Sequence, residues 1–211
     1  TGCSVLGWAL NDKGRITADT AVASPRRGRL YGVWTREDLT TLSQPVVLRF
    51  SDDRAATWSD LVTLSSTSPL AGGFGPTPLV QPNGDLTIVY NDFPLGGASR
   101  FVAQTSRNGG VDFEAPVLVA DDQSREVPGL GTKGSGVTFM GAAVDPVRGG
   151  QYVVWQDGRL RSDGGNDIML SRSTDGGAHW EPPGLVNRDA GKVRNHFTPG
   201  VAAYDGVVIV T

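Results

Sequence analysis

The chain has 211 residues and a formal net charge of −3, a length that suits one or two domains with a sizeable core. Its lysine and arginine residues form no basic run, which argues against nucleic-acid binding. No apolar stretch approaches the roughly 20 residues that a membrane-spanning helix needs, and the single cysteine, Cys3, excludes an intramolecular disulfide framework. With 29 glycines, 13 prolines and no long apolar period of 3.6 residues, the sequence predicts a turn-rich all-β protein.

Strand-like segments recur along the chain. Apolar runs at residues 29–34, 85–90 and 151–155 each follow a glycine and end in a large aromatic residue, and a fourth run occupies residues 207–211. A turn motif follows each of the first three runs at a nearly constant distance. Recurrence over a period of this length indicates stacked structural modules.

Each repeat is predicted to contain four short strands. In the third repeat the strands fall at residues 141–144, 152–155, 167–172 and 183–186, with turn residues between them. Phenylalanines at positions 74, 139 and 197 mark a matching place near the start of three repeats. Four short strands per repeat are typical of a β-propeller blade.

The turn motif is clearest at residues 173–180, Ser-Thr-Asp-Gly-Gly-Ala-His-Trp, and recurs in weaker form at residues 51–58 and 106–113. We refer to these segments, in chain order, as motif hairpins 1, 2 and 3. Serine and aspartate oxygens accept hydrogen bonds from the N–H groups of a tight turn, glycine supplies a positive φ, and the aromatic ring packs over the hairpin. We interpret the following residues as structural: Ser51, Asp53, Trp58, Ser106, Asn108, Gly110, Phe113, Ser173, Asp175, Gly177 and Trp180.

Two motif hairpins depart from this pattern. Hairpin 1 has Ala55 in place of the glycine, and hairpin 2 has Asn108 and Phe113 in place of aspartate and tryptophan. We therefore expect these two turns to be looser than hairpin 3. A calcium-binding loop at Asp175 is the alternative interpretation, but the EF-hand pattern of several acidic ligands ending in glutamate is absent. We expect no metal and no cofactor.

The motif resembles the Asp-box, or BNR repeat, of the bacterial sialidase-like β-propellers. The resemblance implies a single domain of four-stranded antiparallel blades over residues 1–211, with approximate repeats at 17–66, 74–120, 137–187 and 197–211. About three complete blades and part of a fourth are present, whereas this family has six. We expect the remaining blades to come from more of the same chain, another chain or a symmetry mate. Residues 4–10 are interpreted as the outer strand of a preceding blade.

Candidate functional residues follow from strand alternation. The motif hairpins and the turns between first and second strands are expected on one face, and the loops after second and fourth strands on the other, where the resemblance places substrates. Asp157 is the candidate general acid, in a Trp-Gln-Asp-Gly-Arg segment that resembles one in bacterial sialidase-like proteins. An Asp157–Arg159 pair that only holds its own loop is the alternative. The candidate substrate-binding residues are Arg159, Arg36, Asp92 and His196.

The resemblance implies a secreted or cell-surface bacterial protein that acts on carbohydrate or glycoconjugates, as an exo-acting glycoside hydrolase or a degenerate relative. A noncatalytic propeller that binds glycan or protein is the alternative. True sialidases use three arginines, an acid/base aspartate and a tyrosine paired with glutamate. Their Arg-Ile-Pro signature is absent here and the tyrosines fall in or beside predicted strands, so these residues do not support sialidase activity.

Overall fold

A computed structural model describes residues 9–127, 139–189 and 194–211. Within those ranges the chain forms strands and turns, and no helix there could cross a membrane. The strands are β1 (Ala9–Ala18), β2 (Leu30–Asp38), β3 (Val46–Ser51), β4 (Val62–Thr63), β5 (Gly72–Val80), β6 (Leu86–Phe93), β7 (Arg100–Ser106), β8 (Val117–Asp121), β9 (Met140–Val144), β10 (Gln151–Asp157), β11 (Asp167–Ser173), β12 (Gly184–Leu185), β13 (Val201–Tyr204) and β14 (Val207–Val210).

These strands form three four-stranded antiparallel sheets and a two-stranded hairpin, each in chain order. The sheets are β1 to β4, β5 to β8 and β9 to β12, and the hairpin pairs β13 with β14. The first strands of successive sheets, β1, β5, β9 and β13, lie against one another. This arrangement confirms the prediction of an all-β fold built from propeller blades, with three blades and half of a fourth.

The core spans the blades and is made largely from buried side chains of their second and third strands. Trp155 and Tyr90 are almost fully buried, and the ring of Phe101 from the second blade lies 5.2 Å from that of Trp155 in the third. A close backbone approach also joins the first two blades. The N–H of Gly73 donates to the carbonyl of Gln44 at 2.8 Å, and a Cβ on Gly72 would lie 2.2 Å from that carbonyl oxygen, so only glycine fits there.

One predicted element is assigned differently by the structure. The outer strand of a preceding blade was predicted at residues 4–10. Of these, residues 4–8 lie outside the described residues, and so does Cys3. Ala9 and Leu10 belong instead to β1 of the first blade, where they pair with Asp38 and Glu37. A bulge between Asp12 and Arg15 interrupts this ladder, so β1 continues through a polar stretch that does not alternate as a regular strand does.

The three motif hairpins have the same hydrogen bonds. In each, the serine Oγ accepts from the N–H four residues later, at 2.9, 2.7 and 3.0 Å in chain order. The side chain of Asp53, Asn108 or Asp175 accepts from the N–H of the residue four positions after itself, at 2.8, 3.0 and 3.0 Å. These distances do not separate hairpins 1 and 2 from hairpin 3, contrary to the expectation of looser turns.

Two consecutive residues in each motif hairpin have a positive φ. They are glycines in hairpins 2 and 3, whereas hairpin 1 has Arg54 at 60° and Ala55 at 69°. Gly110 of hairpin 2 also lies against the first blade, since a Cβ there would be 3.4 Å from Cε1 of Tyr31 and 3.2 Å from Cδ2 of Leu48. The glycine therefore serves both the turn and the contact with the preceding blade.

Candidate functional site

Side chains from the turn between β1 and β2 locate one face of the molecule. Arg29 donates to both carboxylate oxygens of Asp52 in motif hairpin 1, at 2.7 and 2.6 Å, and to the carbonyl of Gly109 in hairpin 2, at 2.8 Å. The motif hairpins and this turn thus share a face. Because neighbouring strands are antiparallel, the ends of β2, β6 and β10 and the beginnings of β1, β5 and β9 lie toward the opposite face.

Asp157 lies at this opposite face, at the end of β10, and is fully buried. Its Oδ1 accepts from the backbone N and Nε of Arg159, both at 2.8 Å. Its Oδ2 accepts from Nε1 of Trp155 at 2.8 Å and from Nη2 of Arg159 at 2.7 Å. Four donors therefore occupy the carboxylate. This geometry favours the alternative interpretation, in which Asp157 and Arg159 hold their loop, over a general acid that must reach a substrate oxygen.

The other candidate residues are engaged locally. Asp92 pairs with Arg100 at 3.0 Å, and His196 Nε2 lies 3.1 Å from Oδ1 of Asp189. Arg36 is exposed and lines a small rim cleft of about 260 Å³ in the first blade. No hydrogen bond or ion pair within the described ranges joins Arg36, Asp92 and His196 to one another, and neither Asp92 nor His196 lines the cleft beside Arg36.

A rigid polar network supports the loops of the third blade. Arg161, almost fully buried, donates to Asp163 at 2.6 Å and Asp167 at 3.2 Å. The hydrogen bond from Arg161 holds the pKa of Asp163 well below its usual range, and that from Asn187 likewise lowers the pKa of Asp189. These hydrogen bonds hold the loops of the third blade together.

A cleft that sequence reasoning did not single out lies where the first strands begin. It has a volume of about 400 Å³ and is lined by Lys13, Gly14, Arg15, Gly75, Phe139 and Met140. We call it the Lys13 cleft.

Two phenylalanine rings lie beside Lys13: that of Phe139, which lines the cleft, and that of Phe74, which precedes the lining residue Gly75. The Phe74 and Phe139 rings are 6.4 Å apart and tilted by 48°, and Lys13 Nζ lies 5.2 Å and 5.8 Å from their respective centroids. Cations at such distances are attracted to the ring faces. The Lys13 cleft thus combines an aromatic surface with a cation, on the face opposite the motif hairpins.

The sequence did carry a signal for this cleft. The phenylalanines at positions 74 and 139 recur at the start of the second and third repeats, where they were used only to mark the register. Large apolar residues at the exposed beginning of the first strand of each blade meet near the centre of a propeller. Lys13 had no comparable signal, because its place beside the rings depends on the bulge in β1.

Comparison with known proteins identifies the fold. No protein-family model matches the chain, and no curated protein matches it by sequence. Among solved structures, an α-L-arabinofuranosidase from Fusarium graminearum matches with a TM-score of 0.62 and 11% identity over 94% of this chain and 57% of that one. An endo-arabinase from Bacteroides thetaiotaomicron matches with a TM-score of 0.57 and 16% identity, over 98% and 72%. The chain folds as part of a β-propeller.

The leech intramolecular trans-sialidase is a third such neighbour, with a TM-score of 0.53 and 15% identity over 92% of this chain and 27% of that one. These neighbours are carbohydrate-active enzymes, but identities this low establish the shared fold and not a shared activity. The chain spans little more than half of the arabinofuranosidase and about a quarter of the trans-sialidase.

Proposed function

We propose that this propeller binds carbohydrate in the Lys13 cleft, as a glycoside hydrolase or a degenerate relative of one. The observation that carries the proposal is the pairing of the Phe74 and Phe139 rings with Lys13 on the face opposite the motif hairpins. Ligand pockets commonly combine apolar and aromatic walls with a few polar groups that fix orientation. A sugar ring, with an apolar C–H face and polar edges, has the chemistry that such walls accept.

The second candidate function is glycan or protein binding without hydrolysis, and the state of the potential catalytic groups favours it. Both oxygens of Asp157 are occupied. Burial raises the pKa of Tyr31 to about 12 and also raises that of Tyr90, so the phenolate of either tyrosine is harder to form than that of an exposed tyrosine. Within residues 9–127, 139–189 and 194–211, no tyrosine is hydrogen-bonded to a glutamate as a sialidase nucleophile would be. Hydrolysis would thus depend on groups other than these.

The motif hairpins are, in this proposal, Asp-boxes with a purely structural role. The matching hydrogen bonds to the serine and to the aspartate or asparagine of the three hairpins support this assignment, and so does the position of the hairpins away from the Lys13 cleft. A secreted or cell-surface location is part of the same proposal, since polymeric glycans are met outside the cell.

A glycan array and a panel of aryl glycosides, including α-L-arabinofuranosides and α-sialosides, test the proposal on the full-length chain. We expect Phe74→Ala and Phe139→Ala to abolish binding or turnover and Phe113→Leu, in motif hairpin 2, to leave it unchanged.

A different result would move the site to the β10 loop. In that case Asp157→Ala and Arg159→Ala would fold but lose binding or turnover, whereas Phe74→Ala and Phe139→Ala would keep it. Absence of binding and turnover on every sugar would indicate a protein-interaction propeller.

A further inference from the structure

Lys13 has a backbone conformation that favours glycine. Bulges interrupt β1 and β5 at equivalent points, and they place Lys13 at a φ of 52° and Gly75 at 62°. Nothing lies within 4 Å of a Cβ built on Gly75, so the second blade meets the geometry of the bulge without strain. The first blade keeps a lysine there at an energetic cost. Strain of this kind is concentrated at functional sites, which directs attention to the Lys13 side chain.

The ammonium group of Lys13 is held in place. Asp12 accepts from Nζ at 3.0 Å through Oδ1 and at 3.1 Å through Oδ2, and its Oδ1 also accepts from the backbone N of Lys13 at 2.7 Å. The Phe74 and Phe139 rings flank the same Nζ. One cation and two aromatic faces therefore lie within the span of a single monosaccharide.

The charge and polarity of the residues that line the Lys13 cleft limit which ligands it can bind. Lys13 and Arg15 are both cationic, and Arg15 is exposed and forms no ion pair with any described residue. Asp12 offsets one of these two charges. The rest of the lining, Gly14, Gly75, Phe139 and Met140, has no polar side chain. The cleft therefore favours a ligand with one negative charge on a compact ring and few further polar branches.

We propose that Lys13 is the specificity-determining residue of this cleft and selects a hexuronic acid residue, whose carboxylate binds the ammonium group while the C–H face of its ring packs on Phe139. A charge-assisted hydrogen bond would hold the carboxylate. A branched nine-carbon acidic sugar would bring additional polar groups that the lining does not match. The inference rests on the proposed carbohydrate function and deepens it.

Calorimetric titration of the full-length chain with digalacturonic acid, and with galactobiose as the neutral match, tests this inference. We expect Lys13→Met to weaken digalacturonic acid binding about tenfold and to leave galactobiose binding unchanged. Lys13→Gly should give the same loss while relieving the strained φ, so a weakened fold cannot account for it.

Asp12→Asn keeps the Oδ1 acceptor but removes the negative charge that competes with the ligand carboxylate for Lys13, and it should tighten acidic-sugar binding about threefold. Arg172→Gln, at an exposed ion pair with Glu181, is the control and should have no effect.

Other outcomes would overturn the inference. If the wild-type chain binds digalacturonic acid and galactobiose equally, or if Lys13→Met binds both as the wild type does, Lys13 does not select charge and only this inference fails. If 3′-sialyllactose binds through Lys13 and digalacturonic acid does not bind, the assignment to a hexuronic acid is wrong. If no glycan binds the wild-type chain at all, the proposed function fails as well.

Discussion

Gly177 of motif hairpin 3 lies against Thr105 of the second blade, so closely that a Cβ on the glycine would be 3.0 Å from Oγ1 of the threonine. The carbonyl of the adjacent Gly176 accepts hydrogen bonds from Thr105 Oγ1 at 3.3 Å and from Gln81 Nε2 at 3.4 Å. The hairpin of one blade is therefore part of the contact with the blade before it.

Replacement of Gly177 by alanine tests this contact. Gly177 has a φ of 89° and Gly164 a φ of 86°, but nothing lies within 4 Å of a Cβ built on Gly164. Gly164→Ala should therefore cost only the left-handed conformation, about 1 kcal/mol. Gly177→Ala should cost about 2 to 4 kcal/mol, because the methyl group also presses on the second blade. Equal unfolding free energies for the two variants in urea would show that the interface contact contributes nothing.

Trp180 and Trp58 occupy the same place in motif hairpins 3 and 1 but differ in exposure. Trp180 is half-buried and packs against the core, whereas the Trp58 ring lies over Gly32 and is 36% exposed. Truncation of a fully buried tryptophan to alanine typically costs about 3 to 5 kcal/mol of stability. We therefore expect Trp180→Ala to lower the free energy of unfolding by about 2 to 3 kcal/mol, and Trp58→Ala to lower it by less. Thermal unfolding measures both. An unchanged midpoint for Trp180→Ala would contradict the structural role, and so would an altered glycan affinity in the folded variant.

The Asp157–Arg159 pair offers a test of loop-holding against catalysis. Asp157→Asn removes a buried acceptor that Trp155 and Arg159 share, and we expect a loss of about 2 to 4 kcal/mol in the free energy of unfolding. Asp92→Asn, at the more exposed pair with Arg100, should cost at most about 1 kcal/mol. Full stability of Asp157→Asn together with loss of glycoside turnover would restore Asp157 as the general acid.

Asp145 joins the third blade to the β13–β14 hairpin and makes that contact sensitive to pH. Burial opposes ionisation, but backbone N–H groups of Gly206, Arg148, Val147 and Asp205 more than compensate and lower the pKa of Asp145 from 3.8 to about 2. The folded pKa lies below the unfolded one, so this stabilisation is present above about pH 4 and is lost as the pH falls toward 2.

Chemical unfolding between pH 2 and 7 should reveal this contribution. Asp145→Asn should be less stable at neutral pH, because its amide nitrogen cannot accept from the N–H of Gly206 as Oδ2 does at 2.6 Å. Its stability should also fall less steeply below pH 4. Asp205→Asn, at an exposed pair with Arg148, is the control and should keep the wild-type pH profile. If the free energy of unfolding of Asp145→Asn falls with pH as steeply as that of the wild type, the acid sensitivity belongs to another carboxylate.

Much of the fold could be predicted because local and repeated signals agree. The apolar run at residues 151–155, the turn at Asp145 and the motif at Ser173 predicted three strands of the third blade to within about a residue at most ends. The bulge at Lys13 escaped prediction. A bulge depends on the partner strand as well as on its own residues, so the sequence of β1 alone does not reveal it.

The candidate site could be predicted only in part, for a related physical reason. Strand alternation placed Asp157 on the face opposite the motif hairpins, as the structure does. Its role as a general acid was inferred from its residue type and from the resemblance of its segment. Only coordinates show that Trp155 and Arg159 already use its oxygens. Conversely, Phe74 and Phe139 are ordinary apolar residues in sequence and gain their interest from meeting across two blades beside Lys13.

Polar side chains link each blade to the next one along the chain. Arg29 reaches forward to Gly109, Gln81 to Gly176, and Asp145 to Gly206. Each blade is therefore coupled energetically to its nearest neighbours, as in a linear array of modules. Amide hydrogen exchange in β6 and β7 should then become faster when Gly177→Ala weakens the contact between the second and third blades. In such an array, the local opening of one blade depends on the blades that it contacts.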